Sequence, residues 1–188
     1  MTNRPFPSPS DIRARVSAVA FGNQLIQNDY RGIVVEIIVE GALGAPWNWC
    51  SGDWRSWDFE HPDGTRLEVK QSAARQTWAA PKKPSPATFD IRTRTGYYIG
   101  ADWHSETARQ AHIYVFAYHP FLDESADHCD AQQWQFHVVP ANVLPANKTI
   151  GLAKVITLAA PVPWSGLSAT VEAIRLSRGG STPLPDGA

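Results

Sequence analysis

Two acidic residues and a lysine fall within a short stretch that has the pattern of a β-hairpin. Asp58 comes before a Pro62–Gly64 segment, and Glu68–Lys70 comes after it. Pro, Asp and Gly suit the successive positions of a three-residue turn, with Gly at the left-handed position. The flanking residues alternate as strands do, which predicts strands over Trp57–His61 and Thr65–Ser72.

The three-residue loop gives the hairpin one apolar face. It places His61 opposite Thr65, and the pairs that follow bring four apolar residues together. A two-residue turn would mix apolar and polar residues on each face, and register is normally set so that one face is buried. We therefore expect the three-residue loop. The residues on the apolar face are then Trp57, Phe59, Leu67 and Val69.

The opposite face of the hairpin carries the side chains that could do chemistry. In this register Asp58 lies opposite Glu68, with Cβ atoms about 5 Å apart, and Lys70 follows about 6.6 Å along the strand. Opposed carboxylates repel each other unless a proton or a cation neutralises them, and a hard divalent metal ion prefers carboxylate and carbonyl oxygens. The alternative is that Glu68 and Lys70 are ordinary residues on the solvent-facing side of a hairpin.

A helix predicted over Tyr30–Leu43 contributes a further acidic candidate. Its middle is apolar on nearly all sides, which indicates a buried helix. Gly32, Glu36 and Glu40 are spaced by four and share one stripe. A glutamate in such a helix is costly unless it is paired, protonated or next to water, so the stripe faces either a functional cleft or solvent. Glu36 is the better candidate because apolar residues surround it more completely.

The remaining pattern predicts a mixed α/β (α+β) domain with a central mixed sheet flanked by helices. Residues 11–177 form this single domain, and residues 1–10 and 178–188 are flexible ends. Ser10 is the expected N-cap of the first helix. The other predicted elements are a helix over Asp11–Ala20, strands over His112–Tyr118, Trp134–Val139 and Val155–Leu158, and a final helix over Trp164–Leu176.

Composition excludes several classes of protein. The 188 residues include 17 Lys and Arg against 18 Asp and Glu, and this net charge of -1 excludes a polybasic coat protein but not a local basic groove. Two cysteines cannot make a disulfide framework, and no apolar run is long enough for a signal peptide or a membrane span. We therefore expect a cytoplasmic protein with no membrane partner.

The segment from Trp57 to Lys70, preceded by a helix with a buried-type glutamate, resembles the PD-(D/E)XK nuclease superfamily, and in particular its small bacterial members. The resemblance extends over about Arg31 to Pro140. It implies the restriction-endonuclease-like fold, with a core of helix, three-stranded meander, helix and strand. It also implies Mg²⁺-dependent hydrolysis of phosphodiester bonds, with Mn²⁺ able to substitute, and DNA as the substrate.

The resemblance also implies roles for individual residues. Asp58, Glu68 and the Val69 carbonyl would hold the metal ion, and Glu36 matches a helix glutamate that many members add. Lys70 would orient or activate the attacking water. In the family the first acidic residue often follows Pro, whereas here Trp57 precedes Asp58. The literal Pro62-Asp63 pair is rejected because Pro-Asp-Gly is strong turn chemistry.

Basic residues are concentrated beside this proposed site. The segment from Arg66 to Arg109 holds eight basic and four acidic residues, a local net charge of +4. That balance suits a groove for a phosphate backbone, although a solvated loop would show it too. Aromatic residues interleaved with the basic ones, at Trp78, Tyr97, Tyr98 and Trp103, could stack on bases or simply pack. The predicted nucleic-acid-binding residues are Arg66, Gln71, Arg75, Gln76, Lys82, Lys83, Arg92 and Arg94.

Other functions compete with this one. A binding or scaffolding protein on the same fold would lack catalysis, and a hydrolase of small phosphoesters would have a closed pocket without a basic groove. His119, His128 and Cys129 match no zinc-finger spacing, and the chain has no P-loop or dinucleotide motif. The nuclease reading allows a homodimer, because two sites are needed to cut two strands.

Overall fold

The computed structural model describes residues 8–51, 55–78 and 84–179. Four helices and nine strands are assigned in these residues. In chain order they are α1 (Pro9–Phe21), α2 (Asn28–Leu43), β1 (Asn48–Trp49), β2 (Phe59–Glu60), β3 (Arg66–Ala73), β4 (Thr88–Asp90), β5 (Arg94–Ile99), β6 (Asp102–Ala108), β7 (Ile113–His119), β8 (Gln135–Pro140), β9 (Thr149–Gly151), α3 (Leu152–Leu158) and α4 (Trp164–Gly179).

The central sheet has five strands in the order β1-β2-β3-β7-β8. Strands β3 and β7 run parallel, while the other neighbours pair antiparallel. The sheet is therefore mixed, as predicted. The strands predicted over His112–Tyr118 and Trp134–Val139 are confirmed as β7 and β8, each shifted by one residue. Strand β7 is buried along almost its whole length because it lies inside the sheet.

Two apolar cores lie on the two faces of this sheet. On one face α2 and α4 pack through Val35, Val39 and Leu167 against β3 residues such as Leu67. On the other face β4, β9 and α3 pack against the alternate residues of β7, including Phe116. Because side chains alternate along a strand, the odd-numbered residues of β3 face α2 and the even-numbered ones face the second core.

The hairpin forms with the predicted loop. The His61 amide donates to the Thr65 carbonyl at 2.8 Å, and Gly64 has a φ of 81°, the left-handed conformation that glycine adopts without strain. Phe59 pairs with Leu67, as the three-residue loop requires. Regular pairing of β2 with β3 ends at this point.

The predicted place of Trp57 is wrong. Trp57 does not share a face with Phe59, since it lies in the second core, 1% exposed. There the Arg66 guanidinium lies 3.9 Å from the centre of its ring, and the Tyr97 ring packs against it edge-on. Because of these contacts, and because the β2 ladder ends at Phe59, the Trp57 side chain lies on the opposite face from the one predicted.

Two helix predictions are wrong in part: the N-cap of α1 and the burial of α2. The N-cap of α1 is Ser8 rather than Ser10, because Pro9 occupies the first turn and Asp11 closes a capping box with Ser8. Helix α2 is not buried on all sides. Val35 and Val39 are buried, but Ile33 and Ile37 are 38% and 54% exposed.

The C-terminal part of the chain differs from prediction in one element. Val155–Leu158 belongs to α3, not to a strand, and the strand there is β9 (Thr149–Gly151). A short apolar run does not by itself distinguish a buried strand from a helix. The final helix α4 is confirmed and extends to Gly179.

The connection from β3 to β7 also departs from what the resemblance implies. The described residues between them form β4 and the β5–β6 hairpin, where the family pattern has a helix. Helix α2 and the β1-β2-β3 meander do match that pattern. No helix in the described ranges is both long and apolar enough to cross a lipid bilayer.

Candidate functional site

Asp58 is fixed at the edge of β3, one residue before β2 begins. Its amide donates to the Leu67 carbonyl at 2.9 Å, and its carbonyl accepts from the Cys50 amide at 2.8 Å. Its carboxylate oxygen Oδ2 accepts from the Val69 amide at 2.7 Å. The side chain of Asp58 therefore takes the place of a ladder hydrogen bond, and this holds the carboxylate beside Glu68.

Glu68 and Lys70 lie on the even-numbered face of β3, toward the second core. The Lys70 ammonium contacts Glu68 Oε1 directly, so the lysine points at the carboxylates and not away from them. Glu68 is only 8% exposed, and its second oxygen, Oε2, is buried with no hydrogen-bond partner among the residues that the structure describes. A buried oxygen left without a partner is costly, and this makes Glu68 Oε2 the open acceptor of the site.

The negative charges of Asp58, Glu68 and Glu36 affect one another. Burial raises the pKa of Asp58 well above its ordinary value of 3.8, and the charges of Glu68 and Glu36 raise it further. Burial also raises the pKa of Glu68, an effect that the Lys70 ammonium partly offsets. Carboxylates in this arrangement favour a proton or a cation between them.

The charge of Glu36, on α2, acts on Asp58 and Glu68, and Trp49 contacts this glutamate. The indole Nε1 of Trp49 donates to Glu36 Oε2 at 2.9 Å. Glu40, on the same predicted stripe, is exposed on the helix surface. The structure thus brings Glu36 and not Glu40 toward the site. Trp49 was missed by sequence reasoning, since its position in a Trp-rich loop gives no local signal of this contact.

The donors present fit a hard divalent cation. Asp58, Glu68 and the Val69 carbonyl could hold it, with Glu36 adding negative charge. Across residues 8–51, 55–78 and 84–179, no three His, Cys, Asp or Glu side chains form a preassembled metal cluster. Mg²⁺ does not need one, because it is usually bound by one or two carboxylates together with water and substrate phosphates. The unpartnered Glu68 Oε2 is the oxygen that such an ion would satisfy.

The predicted nucleic-acid-binding arginines divide into two groups. Arg92 and Arg94 are exposed beside Asp90, and the charge of Arg94 partly offsets the rise that burial causes in the pKa of Glu68. Arg66 is held between Trp57 and Glu60, and Arg75 donates to the Asp123 carbonyl. The structure therefore brings Arg94 to the site and engages Arg66 and Arg75 within the protein. Lys82 and Lys83 lie outside the described residues.

Gln71 and Gln76 belong to an internal network centred on Arg31. The Arg31 guanidinium, 1% exposed, donates to the side-chain oxygens of Gln71 at 2.6 Å and Gln76 at 2.9 Å, and to Asn28 at 2.8 Å. Gln76 is 7% exposed and also donates to the Ala73 carbonyl. Both glutamines thus link β3 and the segment after it to α2, which carries Glu36.

Aromatic side chains near the site also fall into two groups. Trp78 and Trp103 are 71% and 50% exposed, which leaves their rings accessible. Tyr98 packs against Trp103, and Tyr97 stacks on His104 while contacting Trp57. Trp103 and its neighbours lie on the β5–β6 hairpin, which begins at Arg94.

Two of the buried histidines, His119 and His128, contact each other in the interior. His128 Nδ1 accepts from the Ile26 amide, so its Nε2 carries the proton and cannot ligate a metal. His119 Nε2 faces the Asp127 carbonyl and the Gln133 side-chain oxygen, and its ring packs against His128. This pair is a packed interior contact.

Similarity between this chain and known proteins is found among solved structures. No protein-family model matches this chain, and no curated protein does. Among solved structures, the chain is similar to a bacterial homing endonuclease, I-Ssp6803I, with 16% sequence identity and a TM-score of 0.44. The alignment covers 84% of this chain and 99% of that one. The chemistry of the site therefore has to be inferred from the side chains themselves.

Proposed function

We propose that this chain is a Mg²⁺-dependent nuclease that hydrolyses phosphodiester bonds in DNA. The observation that carries the proposal is the contact of Lys70 with Glu68 beside Asp58, next to a buried carboxylate oxygen that has no partner in the described part of the chain. This is the set of side chains that the resemblance to the PD-(D/E)XK superfamily implies. A protein that only binds nucleic acid has no need to bury these charges together.

The chain's acidic residues would hold the metal ion, and Lys70 would act on the substrate. A divalent cation, once bound, supplies charge neutralisation at the scissile phosphate and lowers the pKa of a water for attack. Asp58 is positioned for this by its contact with the Val69 amide, and Glu68 by its contact with Lys70. The Lys70 ammonium supplies positive charge next to the carboxylates, where negative charge develops during phosphodiester hydrolysis.

The first test is cleavage by wild-type protein and by Lys70→Ala. The substrates are supercoiled plasmid, linear duplex DNA, single-stranded DNA, RNA and a chromogenic phosphodiester, each with Mg²⁺, Mn²⁺ or EDTA. We expect DNA cleavage that requires metal and falls at least about 100-fold in Lys70→Ala, since that loss corresponds to about 2.7 kcal/mol of transition-state stabilisation. Cleavage of the small phosphodiester alone would indicate the small-molecule hydrolase instead.

A matched control for this test is Lys148→Ala, which removes a lysine outside the proposed site. We expect it to cut like the wild type. Binding of DNA by wild-type protein without cleavage under any metal condition would contradict the nuclease proposal and support a binding protein. Cleavage that persists in EDTA, or unchanged in Lys70→Ala, would place the activity elsewhere.

Arg94→Ala is expected to weaken nucleic-acid binding and to make it less dependent on salt. Arg94 is exposed and its charge reaches Glu68, so it is placed to contact a phosphate near the site. Loss of one phosphate contact lowers the slope of log Kd against log salt by about one. Fluorescence anisotropy at several salt concentrations, in a Lys70→Ala background, measures this slope. An unchanged slope, equal to that of the control Arg178→Ala, would exclude Arg94 from the interface.

Trp49→Phe is expected to weaken metal binding more than it weakens the fold. The change removes the indole donor of Glu36 but keeps an aromatic ring at a position that is 39% exposed. Loss of a partner that orients an acidic group typically costs about 10- to 100-fold in metal affinity. Titration with Mn²⁺ measures the affinity and thermal unfolding the stability. Unchanged Mn²⁺ affinity would show that Glu36 does not take part in the site.

A further inference from the structure

Helix α1 exposes an apolar face that the described chain does not cover. The helix has 13 residues, and none of them is buried. Ile12, Val16 and Val19 recur at helical spacing and are 49%, 57% and 59% exposed. A helix of this length is marginal in water unless tertiary packing supports it. The capping box at Ser8 stabilises one end, but the apolar face still needs a partner surface.

Helix α2 presents a second exposed apolar stripe. Tyr30, Ile33 and Ile37 are spaced by three and four residues and are 44%, 38% and 54% exposed. The side of α2 that packs on the sheet is separate and carries Val35. Phe21, the last residue of α1, contacts Tyr30 with ring centroids 5.8 Å apart. The two stripes therefore adjoin but do not cover each other.

The charges beside the two stripes are of opposite sign. Helix α1 carries Arg13 and Arg15, and its one acidic residue, Asp11, is engaged in the capping box, while α2 carries Asp29 and Glu40; the two arginines and these two acidic residues of α2 are exposed. Within the described ranges, none of these four forms an ion pair. The α1 surface therefore complements the α2 surface both in its apolar stripe and in its charge.

We propose that this chain forms a two-fold symmetric dimer in which α1 of each copy packs on the α2 stripe of the other. A second copy is the occupant that satisfies both helices at once, since it offers an acidic stripe to α1 and a basic helix to α2. Two-fold symmetry makes the contact twice and closes the assembly. The proposal rests on these surfaces alone and holds whether or not the chain is a nuclease.

The test is the mass of the protein in solution, measured by sedimentation equilibrium. We expect twice the chain mass of 20.7 kDa for the wild type. In Val16→Asp we expect the dimer to weaken at least about 100-fold, because a carboxylate would be buried without a partner twice per dimer. Ala14→Asp is the matched control, because Ala14 is exposed on the side of the helix opposite the apolar stripe and should leave the dimer intact.

A charge exchange identifies the helices that meet. Arg13→Glu with Arg15→Glu, and separately Asp29→Asn with Glu40→Lys, should each weaken self-association. A mixture of the two variants should recover dimers, since each α1 then faces an α2 of opposite charge. Circular dichroism checks that every variant remains folded. A monomeric wild type, a dimer that survives Val16→Asp, or a mixture that fails to recover would each overturn the proposal.

Discussion

Asp58→Asn is expected to abolish cleavage and to stabilise the metal-free protein at the same time. The substitution keeps a side-chain oxygen for the Val69 amide, which Asp58 accepts at 2.7 Å. It removes one of three negative charges that affect one another, and one ligand of the proposed ion. Loss of metal-assisted charge stabilisation, worth several kcal/mol, lowers the rate at least about 1,000-fold. Relief of the buried charge raises Tm by about 2–4 °C for each kcal/mol gained.

The stabilisation should depend on pH in a defined direction. Because burial raises the pKa of Asp58 above 3.8, the folded protein keeps a proton that the unfolded chain has already released. The Asp58 contribution to folding is therefore favourable below pH 3.8 and is lost as pH rises through the folded pKa. The stability advantage of Asp58→Asn should grow with rising pH. Thermal unfolding in EDTA at a series of pH values between about 5 and 8 measures it.

Asp63→Asn is the matched control, since it makes the same change on the same hairpin. Asp63 accepts from the Thr65 amide at 2.9 Å and from Arg175 at 2.6 Å, so it is held by the turn and by α4. We expect it to lose some stability and to keep cleavage. If Asp63→Asn abolished cleavage and Asp58→Asn did not, the choice of Asp58 as the catalytic acid would be wrong.

Arg31→Ala is expected to have the largest effect on stability. It would leave three side-chain oxygens, on Asn28, Gln71 and Gln76, without their donor in or near the interior. Unsatisfied buried groups cost about 1–3 kcal/mol each, and we expect a total loss of about 3–4 kcal/mol in the free energy of unfolding. Burial already lowers the pKa of Arg31 to about 10. The role of the Arg31 guanidinium is therefore to donate several directed hydrogen bonds in the interior.

Denaturant unfolding measures this loss of stability, and two further variants serve as comparisons. Arg31→Lys retains a charge but cannot reproduce three separately directed donors, so it should also lose stability. Arg92→Ala removes an exposed arginine that pairs, within the described part of the chain, only with Asp90, and it should change stability by less than about 1 kcal/mol. If Arg31→Ala were as stable as Arg92→Ala, the network would not hold α2 against β3. Since α2 carries Glu36, we also expect Arg31→Lys to weaken Mn²⁺ binding.

The parts of the fold that could be predicted are those fixed by local chemistry. Pro62-Asp63-Gly64 determines the loop, and the loop determines the pairing of Phe59 with Leu67. The apolar runs of β7 and β8 are long enough to indicate strands. The prediction is wrong at Trp57, because the position of this side chain depends on its contacts with Arg66 and Tyr97. The tertiary fold, and not the hairpin, brings these two residues to Trp57.

The sequence predicted the Asp58, Glu68 and Lys70 triplet of the candidate site and Glu36 on the helix, but it did not predict Trp49. Strand pairing places Asp58, Glu68 and Lys70 near one another. By contrast, Trp49 contacts Glu36 only after the chain reverses direction, and no local sequence pattern indicates this contact. Charge counting also overstated the basic surface, since Arg66 and Arg75 donate to groups within the protein. One signal for Arg31 was available. It is in helical phase with Val35 and Val39, which marks a residue facing the core.

The proposed function depends on Asp58 and Glu68 sharing a divalent ion, and Mn²⁺ binding followed by electron paramagnetic resonance tests this most directly. Titration of wild-type protein without nucleic acid should show one saturable site per chain. The site should be lost in Asp58→Asn and in Glu68→Gln but kept in Asp63→Asn, and Mg²⁺ should compete for it. Wild-type protein that binds no Mn²⁺, or that binds it equally well after Asp58→Asn, would contradict the proposed site.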